Sequence, residues 1–223
     1  MNVHSQSRTM AASARLPADT AAEDKRERLL DAALELFELR GFDGVAVPEI
    51  ARMAGVATGT IYRYFETKEA LVNALYRRWK QAYNEAVLAP LPGDPSPREM
   101  FGLYWKRMAD FARKNPRAMR FLDLHHHASY LDAESCRAHN AYRDAAEGFI
   151  AAARAAGAIR TLEPALVVAL MWGASAGLTK FAHEGVLRFD AHASDAMEDM
   201  LWRAIAAEPP ISKRETDGKP TKR

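Results

Sequence analysis

The residues with the most specific spacing lie between positions 50 and 61. They read Ile50-Ala51-x-x-Ala54-Gly55-Val56-x-x-x-x-Ile61. Two short helices that cross steeply need a small residue at the crossing, which Ala51 supplies, and a turn in which Gly55 takes a positive φ. Val56 and Ile61 are expected to fill the wedge between them. This spacing predicts a helix-turn-helix, whose second helix enters the major groove of DNA.

A run of histidines at 125–127 is the other candidate for ligand chemistry. Adjacent helical residues point about 100° apart, so three in a row cannot bind one ion. Asp123 and His127 are four apart and could bind one, joined by His139, but the spacing is not that of a structural zinc site. We therefore predict no metal and no cofactor; a histidine that hydrogen-bonds a ligand, or one without any role, is the preferred interpretation.

Charge alone does not predict a nucleic-acid partner. The formal net charge is +2, and residues 24–80 carry ten Lys and Arg against nine Asp and Glu. Affinity for DNA must then depend on where a few cations are placed. An enzyme is the alternative, but we find no nucleophile–base pair at a recognisable spacing, no phosphate-binding glycine-rich loop and no cofactor fingerprint.

Composition indicates a globular protein, with 48% hydrophobic and 27% charged residues. The longest apolar stretch, 166–172, is too short to cross a bilayer, so no membrane partner is predicted. The first twenty residues lack the apolar core of a secretory signal. Cys136 is the only cysteine, which excludes an intrachain disulfide and favours the cytoplasm.

Helical periodicity predicts an all-α fold of roughly nine helices, without a convincing strand. The expected helices cover about 24–40, 48–54, 58–65, a segment from 67, 97–114, 116–130, 133–156, 164–184 and 191–207. Gly41 is expected as a left-handed C-cap, Pro48 in a first helical turn and Thr58 as an N-cap.

The domain organisation follows from where this periodicity stops. Residues 1–22 are expected to be a disordered leader, and the proline-rich, charged segment 208–223 a disordered tail. Residues 23–80 would form a three-helix DNA-binding domain containing the helix-turn-helix, and 81–207 a larger helical domain. The proline-rich break at 89–97 lies near the boundary between the two.

Two stretches, R-L-L-D-A-A-L-E-L-F-E-L-R-G-F-D-G-V (28–45) and I-A-R-M-A-G-V-A-T-G-T-I-Y-R-Y-F-E-T-K-E-A-L (50–71), closely resemble the DNA-binding domain of the TetR family. The remainder resembles that family only in its length and helical pattern. The resemblance implies a homodimeric repressor on palindromic double-stranded operator DNA, released by a small, partly hydrophobic effector. A regulator without an effector, or an activator, is the alternative within the same class.

The resemblance also implies which residues contact DNA, on a recognition helix that begins at Thr58. They are Thr58, Gly59, Thr60, Tyr62, Arg63, Tyr64 and Lys68. Hydroxyls and free N–H groups can bind phosphates or bases, Arg63 can reach a phosphate or a guanine edge, and Lys68 matches the family's phosphate-binding lysine. Tyr64 in the core, and Tyr62 and Arg63 as ordinary exposed residues, are the alternatives. The family's Thr at the start of the preceding helix is absent, because this chain has Ala46-Val47-Pro48 there, which leaves that cap and its phosphate contact in doubt.

Two further surfaces are expected in the larger domain. The effector pocket is predicted to involve Trp105, Met108, Phe121, His125, Tyr130, Tyr142 and Trp172. The dimer interface is predicted to involve Gly173, Gly177, Met197, Leu201 and Ile205. In both cases the alternative is that these side chains only fill the core of one subunit.

Overall fold

The structure is a computed structural model that describes residues 17–125 and 129–207. Within them the helices are α1 (Pro17–Arg40), α2 (Val47–Met53), α3 (Thr58–Ile61), α4 (Lys68–Val87), α5 (Pro97–Lys114), α6 (Pro116–His125), α7 (Ala133–Ala155), α8 (Pro164–His183) and α9 (Ala191–Ile205). In the same residues the β pairing amounts to one antiparallel bridge, between Ile159 and Ala206. The predicted all-α fold is confirmed.

The N-terminal boundary differs from the prediction. Helix α1 begins at Pro17, inside the segment expected to be a disordered leader. Proline suits a first helical turn, and the alanines that follow it have the highest helix propensity. The rest of the leader (1–16), the tail (208–223) and residues 126–128, which include His126 and His127, lie outside the described residues.

The chain divides into two compact units, unit 1 up to Leu75 and unit 2 from Tyr76. The division falls inside helix α4, whereas the sequence placed it after residue 80, near a proline-rich break. Proline and glycine mark where helices stop. A boundary between compact units instead lies where side chains cease to pack on one core and begin to pack on another, which can happen within a helix. In α4 that packing changes along an unbroken helix.

Unit 1 has a small apolar core built from the inward faces of its helices. Leu29, Leu30, Ala33 and Phe37 lie at helical spacing on α1 and are fully buried. Ile50 and Ala51 of α2 are buried as well. Helix α1 ends at Gly41, which has a φ of 68° and whose N–H donates to the Phe37 carbonyl at 2.9 Å. The predicted left-handed cap is therefore confirmed.

Polar contacts fix the helices of unit 2 against one another. Trp105 of α5 is 1% exposed, and its indole N–H donates to the Ser194 carbonyl of α9 at 2.9 Å. Two turns earlier on α5, the Arg98 guanidinium forms a bidentate pair with Glu198. These two contacts set the register of α9 on α5 and turn its apolar stripe inward.

Helix α8 differs from the others because it is apolar over most of its length yet only partly covered. By length and composition it could cross a membrane, although the core helix of a soluble protein passes the same test. The sequence-based exclusion of a membrane span considered only the uninterrupted apolar stretch 166–172, which is shorter than the whole helix. Leu166, Leu170 and Phe181 are 63, 40 and 46% exposed, and they follow one another at helical spacing. Unit 2 therefore presents an apolar helix face to its surroundings.

Candidate nucleic-acid interface

The turn between α2 and α3 is built as the spacing predicted. Gly55 has a φ of 67°. Its N–H donates to the Arg52 carbonyl at 3.2 Å, and the Val56 N–H donates to the Ala51 carbonyl at 2.9 Å. This pair of bonds is the Schellman arrangement, in which a left-handed residue ends a helix and redirects the chain. The turn therefore fixes the direction in which α3 leaves α2.

Helix α3 is shorter than predicted but remains rigid. Its regular part spans Thr58–Ile61, and its N-cap is Ala57, not Thr58. The chain then continues in tight turns, with the N–H groups of Tyr64 and Phe65 donating to the Ile61 carbonyl at 3.0 and 2.9 Å. Ile61 and Phe65 are 1 and 5% exposed, so both anchor the segment in the core of unit 1.

The opposite side of this segment is open to solvent. Thr58, Gly59 and Arg63 are exposed, and Tyr62 is 51% exposed. Thr60 and Tyr64 are half-buried. Because 58 and 62, and likewise 59 and 63, are four residues apart, they share one face. Most of the predicted DNA-contacting residues thus lie together on one accessible surface, while their contacts with DNA stay a prediction.

Lys68, the first residue of α4, is held in place by an aromatic ring. Its ammonium lies 4.3 Å from the centroid of the Phe42 ring, a cation–π contact. Among the described residues, it forms no ion pair. The ring restricts the lysine without neutralising it, which leaves the charge available for a phosphate.

The missing threonine cap at the start of α2 has a substitute that the sequence analysis did not identify. Glu49 reaches back, and its carboxylate accepts a hydrogen bond from the Ala46 N–H at 3.1 Å. Arg40 holds the other carboxylate oxygen at 3.2 Å. The Ala46 N–H, followed by Arg40, keeps the pKa of Glu49 below its usual range. The signal was present, since a glutamate three residues after an N-cap forms half of a capping box.

Unit 2 contains a cleft of about 290 Å³ that includes two of the predicted pocket residues, Tyr142 and Trp172. Other predicted pocket residues serve the core. Trp105, Met108 and Phe121 are at most 1% exposed. His125 is also 1% exposed, and it stacks on Phe121 at 4.5 Å and bonds the Tyr130 hydroxyl.

Lys80 is a cleft residue that the sequence analysis missed. It lines the same cleft although its side chain is 1% exposed. A signal existed, because Tyr76, Lys80, Tyr83 and Val87 follow one another at helical spacing and the three apolar members are buried. A lysine in the middle of an apolar stripe either points to solvent or is buried with groups that stabilise its charge.

The predicted dimer residues divide into two groups. A Cβ added to Gly173 or Gly177 would meet no atom within 4 Å, so α8 is open at both. Leu201 and Ile205, in contrast, are 4 and 1% exposed within their own unit. Since the α9 stripe packs inward, these two have almost no surface left for a partner, and their assignment to an interface is corrected. Met197 is half-buried.

No group of three residues suited to a metal ion occurs in the described part of the chain. Of the residues considered for such a site, His139 is engaged through Nδ1 with the Tyr76 hydroxyl at 3.2 Å. His127 lies outside the described residues. The described residues therefore provide no set of donors for a metal ion.

Known protein families match nearly the whole described chain. The family described as "Bacterial regulatory proteins, tetR family" matches residues 29–75. The family described as "Tetracyclin repressor-like, C-terminal domain" matches residues 76–207. The two matches meet between Leu75 and Tyr76, where the structure also divides.

Individual relatives match this chain over different lengths. The chain is 36% identical over 77 residues to the HTH-type transcriptional regulator AcrR of Shigella flexneri, covering 33% of this chain and 36% of that protein. It is 42% identical over 62 residues to the HTH-type transcriptional repressor KstR of Rhodococcus jostii, covering 27% and 29%. These matches span about a third of each relative's length. A longer match, 28% identical over 167 residues, is to the HTH-type transcriptional regulator RutR of Escherichia coli, covering 73% and 77%.

Solved structures agree over a greater length. A putative tetR family transcription regulator from Shewanella sp. PV-4 superposes with a TM-score of 0.70 at 26% identity, covering 82% of this chain and 99% of that one. A TetR family regulator from Marinobacter aquaeolei VT8 superposes with a TM-score of 0.76 at 20% identity, covering 85% and 100%. At 20% identity, the similarity to the Marinobacter aquaeolei structure shows the fold alone.

Proposed function

This chain belongs to the TetR family of bacterial transcriptional regulators, and from that premise we propose that it is a cytoplasmic repressor. It binds a palindromic operator as a homodimer and leaves the operator when a small molecule occupies unit 2. The observation that carries the DNA-binding part is the segment after Gly55, which is anchored by Ile61 and Phe65 and exposed on its other side.

The contacts with DNA divide by chemistry. Lys68 and the hydroxyls of Thr58 and Tyr62 bind phosphates, which positions the protein on the duplex without reading sequence. Arg63, exposed one residue further along the same face, reads a guanine edge in the major groove. Because the net charge of the chain is only +2, these few groups supply most of the electrostatic attraction.

A homodimer is supported by the open face of α8. Leu166, Leu170, Gly173, Gly177 and Phe181 follow one another at spacings of three or four. The glycines carry no side chain to keep a second helix away, and the leucines and Phe181 offer apolar area to it. A two-fold dimer also presents two recognition segments, which a palindromic operator requires.

The test is selection of genomic DNA fragments by the purified protein, followed by gel-shift measurement on the enriched site. We expect a two-fold symmetric sequence. Lys68→Gln should weaken its binding roughly tenfold and reduce the salt dependence by about one phosphate contact. Lys25→Gln, an exposed lysine of α1, is the matched control. Absence of any enriched sequence would overturn the proposal.

A further inference from the structure

Lys80 carries a buried ammonium without a conventional partner. Its side chain is 1% exposed. Among residues 17–125 and 129–207, it forms no hydrogen bond and no ion pair. Its ammonium instead lies among three aromatic rings, 4.9 Å from Tyr83, 5.1 Å from Trp172 and 5.5 Å from Tyr142. Ring faces attract a cation, but they leave its three N–H donors without an acceptor.

Lys80 borders a cleft in unit 2. The cleft of about 290 Å³ that Lys80 lines is otherwise mostly apolar, with walls from Tyr142, Val168 and Trp172. Small-molecule sites of this kind combine an apolar lining with a few placed polar groups that fix the ligand's orientation. Lys80 supplies such a polar group to the wall of this cleft.

The other charged groups near the cleft compensate the Lys80 charge only in part. At the mouth, Arg143 Nε is 3.8 Å from Glu147 Oε1, so the charges of these two side chains compensate each other. The Asp123 carboxyl acts on Lys80 through space, but burial raises the pKa of Asp123 to about 7 and so reduces its negative charge near neutral pH. His139 is turned to the Tyr76 hydroxyl. Near neutral pH the cleft wall therefore keeps part of the Lys80 positive charge.

We propose that this cleft binds a small monocarboxylate with an apolar body. The carboxylate accepts hydrogen bonds from the Lys80 ammonium, and the body lies against Tyr142, Val168 and Trp172. A cationic ligand is disfavoured because Lys80 already occupies the aromatic cage. A phosphate dianion is disfavoured because a single lysine in an apolar wall matches one negative charge and not two. Only the role of this acid as the effector rests on the proposed function.

The direct test is calorimetric titration of the full-length protein with two acids and their amides. The acids are phenylacetate and octanoate, and the amides keep their shape without the charge. Charge-assisted hydrogen bonds predict at least one acid binding roughly 10- to 100-fold more tightly than its amide. Lys80→Met should abolish that preference, whereas Lys106→Met, an exposed lysine of α5, should retain it.

A second measurement needs no variant. Burial lowers the pKa of Lys80 to about 8, so the affinity for the acid should fall as the pH rises from 7.5 to 9. Asp123 ionises further in this range and acts in the same direction. The amide should bind equally well throughout.

Circular dichroism of Lys80→Met confirms that the variant is folded.

Several results would overturn the proposal. They are equal binding of acid and amide, an unchanged preference in folded Lys80→Met, and no saturable binding of either acid. Operator release is measured separately by gel shift. An acid that binds through Lys80 without releasing the operator upholds the carboxylate site and refutes its role as effector site. Loss of operator recognition itself would refute the proposed function and leave the titration result standing.

Discussion

Gly59 lies on the exposed side of the segment that we propose to contact DNA. It is exposed, its φ is not positive, and a Cβ added there would meet no atom within 4 Å. Nothing in the folded chain therefore requires glycine at this position. The proposed DNA contact supplies a reason for glycine here, because a residue without a Cβ lets the duplex approach the backbone closely.

We expect Gly59→Ala to separate stability from binding. Alanine has the higher helix propensity, so the free energy of unfolding should stay the same or rise by about 0.5–1 kcal/mol. The added methyl group should still weaken operator binding by roughly tenfold or more, because it prevents close approach to the duplex. Thermal unfolding and gel shift measure the two effects, and equal operator affinity would contradict the assignment of Gly59.

Lys80 is the second residue whose environment gives a measurable consequence. Burial lowers its pKa from 10.5 to about 8. Between these values the unfolded chain binds more protons than the folded one, so the Lys80 contribution to stability increases with pH. Below pH 8 the full cost of burying the charge applies. Burial raises the pKa of Tyr76, Tyr83 and Tyr142, which opposes this trend only near pH 10 and above.

We therefore expect Lys80→Met to be more stable than wild type, by about 2 kcal/mol at pH 7. The difference should narrow by about 1–2 kcal/mol at pH 9.5, where Lys80 has lost its proton in the folded wild type. Urea unfolding at the two pH values measures it, with Lys106→Met as the control. A less stable variant at pH 7 would show that the aromatic contacts outweigh the cost of burial.

At the scale of elements, the connection between α1 and α2 depends on a glycine that local signals do not identify. Gly44 has no positive φ, yet a Cβ there would lie 2.4 Å from the Arg40 carbonyl oxygen. That oxygen belongs to backbone and cannot rotate away. The end of α1 and the approach to α2 are thus packed too closely for any other residue.

Gly44→Ala should consequently destabilise the protein, by about 1–3 kcal/mol, through a forced shift of the backbone. Its neighbour Asp43 is exposed in the same turn, so Asp43→Ala should change the free energy of unfolding by less than about 0.5 kcal/mol. Urea denaturation of both variants is the measurement. Equal stability of the two would mean that the turn can relax.

At the scale of the whole molecule, the exposed face of α8 is the feature that a single subunit leaves unexplained. Leu170 is 40% exposed and lies between the open glycine at 173 and the exposed Leu166. A soluble protein that leaves such a face in water risks aggregation, and a second copy of the chain covers it most simply.

Leu170→Asp should yield folded monomers in sedimentation velocity, because the dimer would bury an unpaired carboxylate. Ala151→Asp, on an exposed position of α7, should remain dimeric. A Leu170→Asp protein that sediments as a dimer would place the interface elsewhere. The inward-facing Leu201 is unsuitable for this test, because a charge there would disrupt the core of unit 2.

The sequence by itself determined what depends on neighbours a few residues away. Proline and glycine fix where helices begin and end, and the spacing of Ala51, Gly55 and Ile61 fixes the turn before α3, because backbone dihedrals and side-chain direction are local. Tertiary structure decided which side of each helix is covered. The inward turn of Leu201, the exposure of Leu170 and the burial of Lys80 depend on contacts between distant segments, such as Arg98 with Glu198. An apolar stripe shows that a face is buried, but not against which neighbour.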